Sequence, residues 1–124
     1  MQNPERRWEW QAPSAIASAE VVCTDEVAVL TARGEFDLLT VPGLRAQLTR
    51  ALAGSPAVLV VDLTEVTFFG SAGMAALLEA DTIAGDRTSI RLAVSNLIRR
   101  TLKAAGLGDT FALHDSAAEA LGER

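Results

Sequence analysis

Ala57-Val58-Leu59-Val60-Val61-Asp62-Leu63-Thr64-Glu65-Val66-Thr67-Phe68-Phe69-Gly70-Ser71-Ala72-Gly73-Met74 decides how the rest of the chain is read. Apart from Asp62, its first seven residues are apolar without alternation, the pattern of a strand covered on both faces. After Phe69 the period changes. Gly70-Ser71-Ala72-Gly73 makes a junction, and Met74, Leu77 and Leu78 then fall on one helical side before Gly85, so a helix is expected to start near Ser71. At about 100° per residue that phase turns Met74, Leu77 and Leu78 inward and leaves Ala72, Ala76, Glu79 and Ile83 as the outward stripe. A buried strand, a sharp turn and a helix are the repeating unit of a layered α/β fold.

Upstream, Ile16 to Cys23 and Val27 to Ala32 are two strand-like runs separated by Thr24-Asp25-Glu26, which reads as a hairpin. Gly34-Glu35-Phe36-Asp37 interrupts that pattern. Thr40 is the expected N-cap of a helix carrying Val41, Leu44, Leu48, Ala51 and Leu52, ended by Gly54-Ser55-Pro56. Downstream, Thr88 to Val94 reads as a strand. Ser95 or Asn96 can cap a third helix stopped by Gly106, and a short strand near Thr110 to Leu113 precedes a last helix from Ser116 to Leu121. Strands alternating with helices after a hairpin predict an α/β fold with a mixed sheet. Residues 1–14 are read as an N-terminal extension, in which Trp8 and Trp10 either pack an extra strand or belong to a tail, and 15–122 as the domain.

Composition narrows the function. The chain has 124 residues, 49% of them hydrophobic and 22% charged, enough for one domain with a sizeable core. Its formal charge of −5 repels phosphate backbones and anionic lipid, which argues against nucleic acid and membrane as partners. No apolar run approaches the roughly 20 residues of a bilayer span. A single cysteine, Cys23, and a single histidine, His114, leave no metal-ligand set, so neither metal nor cofactor is expected. Nothing resembles an export signal, and a cytoplasmic location is the expectation.

Phe69-Gly70-Ser71-Ala72-Gly73 approximates a nucleophile elbow, with Phe69 where the first glycine belongs. A hydrolase would need His114, on a terminal strand, as its base. No enzyme is expected on that ground. Two readings of Ser71 remain compatible: a helix cap, and a modification site where added phosphate meets unpaired N–H groups and the positive end of a helix dipole.

The stretch from Val60 to Met74 resembles the signature of STAS-domain proteins, in particular the anti-sigma factor antagonists. Gly34-Glu35-Phe36-Asp37 is similar to that family's Gly-Glu-hydrophobic-Asp motif, and Leu102 to Leu107, Phe111 and Ala117 to Leu121 are similar to its usual ending. The resemblance covers about residues 16–121. It implies a STAS fold, a mixed β-sheet with helices mainly on one face, and a bacterial partner-switching role in transcription regulation. In that role an unphosphorylated antagonist binds an anti-sigma factor with serine kinase activity and frees a sigma factor; phosphorylation of one serine, matched here by Ser71, releases it, and a serine phosphatase is the further partner. Gly70 stands where the family has Asp. That departure favours the alternative of a constitutive subunit in a transporter accessory or scaffold assembly, with Ser71 only a cap.

The expected partner-binding surface is Glu35, Asp37, Gly70, Ser71, Ala72, Gly73, Ala76, Glu79 and Ile83. Asp37 can contact a partner or start a turn, and Glu35 is judged likewise. Arg99, Arg100 and Lys103 read as a solvated basic face. Cys23 reads as core rather than redox sensor, and His114 as a surface residue at a strand end.

Overall fold

A computed structural model describes residues 5–122. Its elements are β1 (Arg6–Gln11), β2 (Ala17–Thr24), β3 (Val27–Phe36), α1 (Val41–Ala53), β4 (Val58–Phe69), α2 (Ser71–Ala84), β5 (Ser89–Ala93), α3 (Asn96–Ala104), β6 (Ala112–His114) and α4 (Ala117–Gly122), with one 3-10 turn at Pro13–Ala15. The six strands form one sheet in chain order. β1, β2 and β3 pair antiparallel, whereas β3 to β6 pair parallel, so the mixed α/β sheet stands as expected.

The Trp-containing segment is the extra strand. Trp8 and Trp10 pack against the core, and the Trp10 ring lies 6.3 Å from that of Phe36. Buried Gln47 of α1 donates to the carbonyls of Trp8 and Ala19, both at 2.9 Å, satisfying its amide while stapling β1 and β2 to the helix. The β2–β3 hairpin turns through Asp25 at φ 45, a left-handed conformation that Asp tolerates.

The main core lies between the sheet and α1, α2 and α3, where Leu30, Leu44, Leu59, Leu63, Leu77, Leu92, Ile98 and Leu102 are fully buried. Helix α4 covers the other face. Arg91 alternates with the inward Ile90 and Leu92 along β5, and its Nη1 donates to the Ala120 carbonyl at 2.9 Å. That second layer explains why Val60 is as buried as its neighbours Leu59 and Val61, and why β4 lacks alternation.

Two local expectations are corrected. Gly34 does not end β3; the strand continues to Phe36 through register shifts at Thr31/Arg33 and Gly34/Glu35. Thr40 does not cap α1, because its hydroxyl donates to the Glu35 carbonyl at 2.8 Å instead. Ser95 does cap α3, accepting from Ile98 N–H.

Candidate functional site

Strand β4 runs past its neighbour. β5 pairs with it only from Val58 to Asp62, while β3 stays alongside to Phe69. The chain therefore carries Gly70 and Ser71 to a corner of the sheet bordered by the end of β3 alone. Gly70 N–H donates to the Phe36 carbonyl at 3.1 Å, which ties the β4–α2 junction to the loop after β3. The fold thus brings Glu35, Asp37, Gly70 and Ser71 together.

Ser71 is the first helical residue of α2, not its cap. Gly70 occupies the cap position, its carbonyl accepting from Gly73 and Met74 N–H, and it supplies no side-chain cap. The Ser71 side chain is exposed, and among the described residues its hydroxyl has no hydrogen-bond partner. Gly70 has φ −84 and ψ −174, extended backbone open to any residue. A Cβ there would lie 3.2 Å from the Phe68 ring, so that ring stands where a side chain at position 70 would begin.

Asp37 organises the neighbouring loop. Its Oδ1 accepts from Leu39 N–H at 2.9 Å and Thr40 N–H at 3.2 Å, and its carbonyl accepts from Val41 N–H, the geometry of an N-cap. Thr40 Oγ1 accepts from Asp37 N–H in turn. Asp37→Ala is expected to cost about 0.5–2 kcal/mol in urea unfolding, with Asp37→Asn retaining most of the stability. Glu35 is exposed and has no ion pair among the described residues.

Helix α2 is rotated relative to the expectation. Its buried residues are Gly73, Ala76, Leu77, Ala80 and Ala84; Met74 is half-buried and Leu78 is 40% exposed. Ala76, expected outward, is 1% exposed and leaves the docking surface, so Ala76→Arg would disrupt packing rather than probe an interface. Side-chain size explains the error. The small residues face α1, where Ala76 and Ala80 adjoin Leu48 and Leu52 along one groove. A Cβ on Gly73 would come within 2.8 Å of the Phe69 ring. Close helix packing selects small side chains, whereas the sequence pattern weighted the large ones.

Of the rest of the expected stripe, Ala72 is half-buried, and Glu79 and Ile83 are exposed. Glu79 is engaged by Arg45 of α1 through Nε at 2.9 Å and Nη2 at 3.2 Å, a bridge too exposed to be worth more than about 1 kcal/mol.

Sequence reading missed the apolar rim of this corner. Leu38 and Leu39 are 83% and 89% exposed, and Phe68 is 51% exposed. Leu78 lies seven residues after Ser71, which returns it to the same helical side about 10 Å along the axis. The available signal was two leucines directly after a loop aspartate and ahead of the α1 apolar stripe.

The hydrolase geometry is not met. His114 pairs with Ala93, which pairs with Asp62, nine residues before Ser71 on β4. That separates them by on the order of 25 Å along an extended strand, and His114 Nδ1 lies 3.6 Å from Glu119. Its side chain is largely covered rather than on the surface as expected. Cys23 is half-buried, and burial pushes its thiol up against the opposing pull of Arg6, away from a reactive thiolate. Arg99 of the basic face pairs with Asp115 at 2.7 Å. Among the described residues no cluster of His, Cys, Asp and Glu is placed to hold a metal, and no helix is long and apolar enough to cross a membrane.

The STAS domain family model matches residues 18–120. The chain belongs to the STAS domain family. The matched span of this STAS domain begins inside β2, so β1 precedes it. The chain is similar to the anti-sigma-F factor antagonist RsfB of Mycobacterium tuberculosis, 33% identical over 111 residues that make up 89% of this chain and 90% of RsfB. It is also similar to the crystal structure of an anti-sigma factor antagonist from Mycobacterium paratuberculosis, with TM-score 0.80, 32% identity, and coverage of 90% of this chain and 96% of that one. The unphosphorylated form of the anti-sigma factor antagonist SpoIIAA shares the fold at TM-score 0.70 and 20% identity, over 83% of this chain and 92% of that one.

Proposed function

We propose that this STAS domain is a cytoplasmic anti-sigma factor antagonist whose unphosphorylated form binds an anti-sigma factor with serine kinase activity, frees a sigma factor, and is switched off by phosphorylation of Ser71. A serine phosphatase resets it. The observation that carries the reading is the exposed Ser71 hydroxyl, without a partner among the described residues, at the first position of α2. A phosphate there gains from the helix dipole, so the domain tolerates it. A partner surface shaped for a neutral hydroxyl meets instead nearly two uncompensated charges. Relatives named as anti-sigma factor antagonists support the general role.

The test is the affinity of wild type, Ser71→Ala and Ser71→Glu for one purified anti-sigma factor, with phosphopeptide mapping after kinase and ATP. Ser71→Ala is expected to bind as wild type does, resist phosphorylation and keep its melting temperature, since the hydroxyl makes no bond that folding would lose. Ser71→Glu is expected to bind at least about tenfold more weakly, or ~1.4 kcal/mol. Equal affinity for Ser71→Glu, or phosphate at another residue, removes the switch.

Gly70 favours a second reading, a constitutive subunit of a transporter accessory or scaffold assembly. The backbone at position 70 accepts any residue, and only the Phe68 ring crowds a Cβ there, so backbone conformation does not require the missing side chain beside the hydroxyl. In that reading Ser71 stays unmodified in the presence of kinase, and Ser71→Glu leaves binding intact.

A further inference from the structure

We infer that Leu38 and Leu39 are the apolar anchor by which this domain grips its anti-sigma factor, an inference resting on the antagonist reading above. Among the described residues they are the two most exposed of the large apolar side chains, at 83% and 89%. Folding gains almost nothing from them. The loop that presents them is nonetheless fixed: Asp37 Oδ1 holds the N–H groups of Leu39 and Thr40, and Thr40 Oγ1 ties back to the Glu35 carbonyl. Because the backbone beneath the leucines is already ordered, a partner that covers them gives up only their side-chain rotamer freedom and no loop entropy.

Their position links them to the switch. The loop begins one residue after Phe36, whose carbonyl receives Gly70 N–H, so it is fastened to the residue preceding Ser71. Exposed Phe68, whose ring borders Gly70, extends the apolar rim at the same corner. A partner seated on Leu38 and Leu39 is therefore brought to the Ser71 hydroxyl, and the affinity comes from apolar contact rather than from the hydroxyl. Phosphate on Ser71 then acts as a charge introduced at the margin of a desolvated contact.

The charge around the leucines selects the occupant. Glu35 is exposed with no ion pair among the described residues, in a chain of net charge −5. A two-fold contact with a second copy would bring the same carboxylate onto both sides of one patch. An anti-sigma factor offering an apolar recess edged by Lys or Arg satisfies both the leucines and Glu35.

The experiment measures affinity for the anti-sigma factor used with the Ser71 variants, together with melting temperature and solution mass. The double variant Leu38→Ser/Leu39→Ser is expected to bind about 100-fold more weakly, or ~2.8 kcal/mol at 1.4 kcal/mol per tenfold, with the melting temperature unchanged. Leu38→Met/Leu39→Met keeps most of the affinity, and Leu97→Ser, an exposed leucine on α3, keeps all of it. Wild-type binding matched within about threefold by the double serine variant overturns the anchor alone. A wild-type dimer that the double variant converts to monomer assigns the patch to a second copy and overturns it as well. Wild type that binds no anti-sigma factor overturns the antagonist reading and this inference with it.

Discussion

Phe36→Ala is expected to destabilise the domain by about 3–5 kcal/mol, the range for emptying a buried aromatic site. Phe36 is fully buried, and its ring meets two others: Trp10 at 6.3 Å, tilted, and Phe69 at 6.5 Å, edge-on. Those neighbours come from β1 and β4, so the cavity opens where the added edge strand, the end of β3 and the strand leading to Ser71 converge. Neither neighbour can refill it without leaving its own strand register. Chemical denaturation followed by Trp fluorescence reads both the stability loss and the change around Trp10. A loss below about 1 kcal/mol would mean that the site collapses freely and that the ring cluster does not hold this corner together.

Gly34→Ala is expected to cost about 2–5 kcal/mol. Gly34 has φ +92, where a side chain is disfavoured by roughly 1–2 kcal/mol. A Cβ there would also collide with the Ile16 carbonyl oxygen. That oxygen accepts the Glu35 N–H at 3.0 Å, so it cannot retreat without breaking the bond that aligns the end of β3. Backbone on both sides of the clash makes relief harder than with a movable side chain, adding about 1–3 kcal/mol of overpacking. Urea unfolding measures the loss. If alanine leaves the midpoint unchanged, β2 and β3 do not approach this closely at the bulge.

The two variants clarify the motif Gly34-Glu35-Phe36-Asp37. Gly34 permits the bulge, Phe36 fills the corner and Asp37 caps the loop before α1, three separate packing roles that account for three of its four residues. Glu35 is different. Its carboxylate has no ion pair among the described residues, which keeps it available to a partner. The motif therefore does most of its work by holding Leu38, Leu39 and Ser71 in place.

The mixed α/β layering, the order of the elements and the junction at Ser71 were determined by the sequence alone, because each depends on local period: unbroken apolar residues from 57 to 61, helical spacing after Gly73, turn residues between. The side of α2 that faces the core was decided only by tertiary structure. Met74 and Leu78 carry more apolar surface than Ala76 and Ala80, yet the alanine side of α2 is the one set against Leu48 and Leu52 of α1, so the alanines are buried and Leu78 turns toward solvent. Competition between surface area and available volume has no one-dimensional signature. Capping divides in the same way. Thr40 has the right residue type in the right place, but the carbonyl of Glu35 lies within reach of its hydroxyl only after β3 has bulged past Gly34, and Asp37 caps instead. The exposed leucines are the clearest case: Leu38 and Leu39 read as ordinary apolar residues until the loop is fixed, and the fold alone leaves them in water beside Ser71.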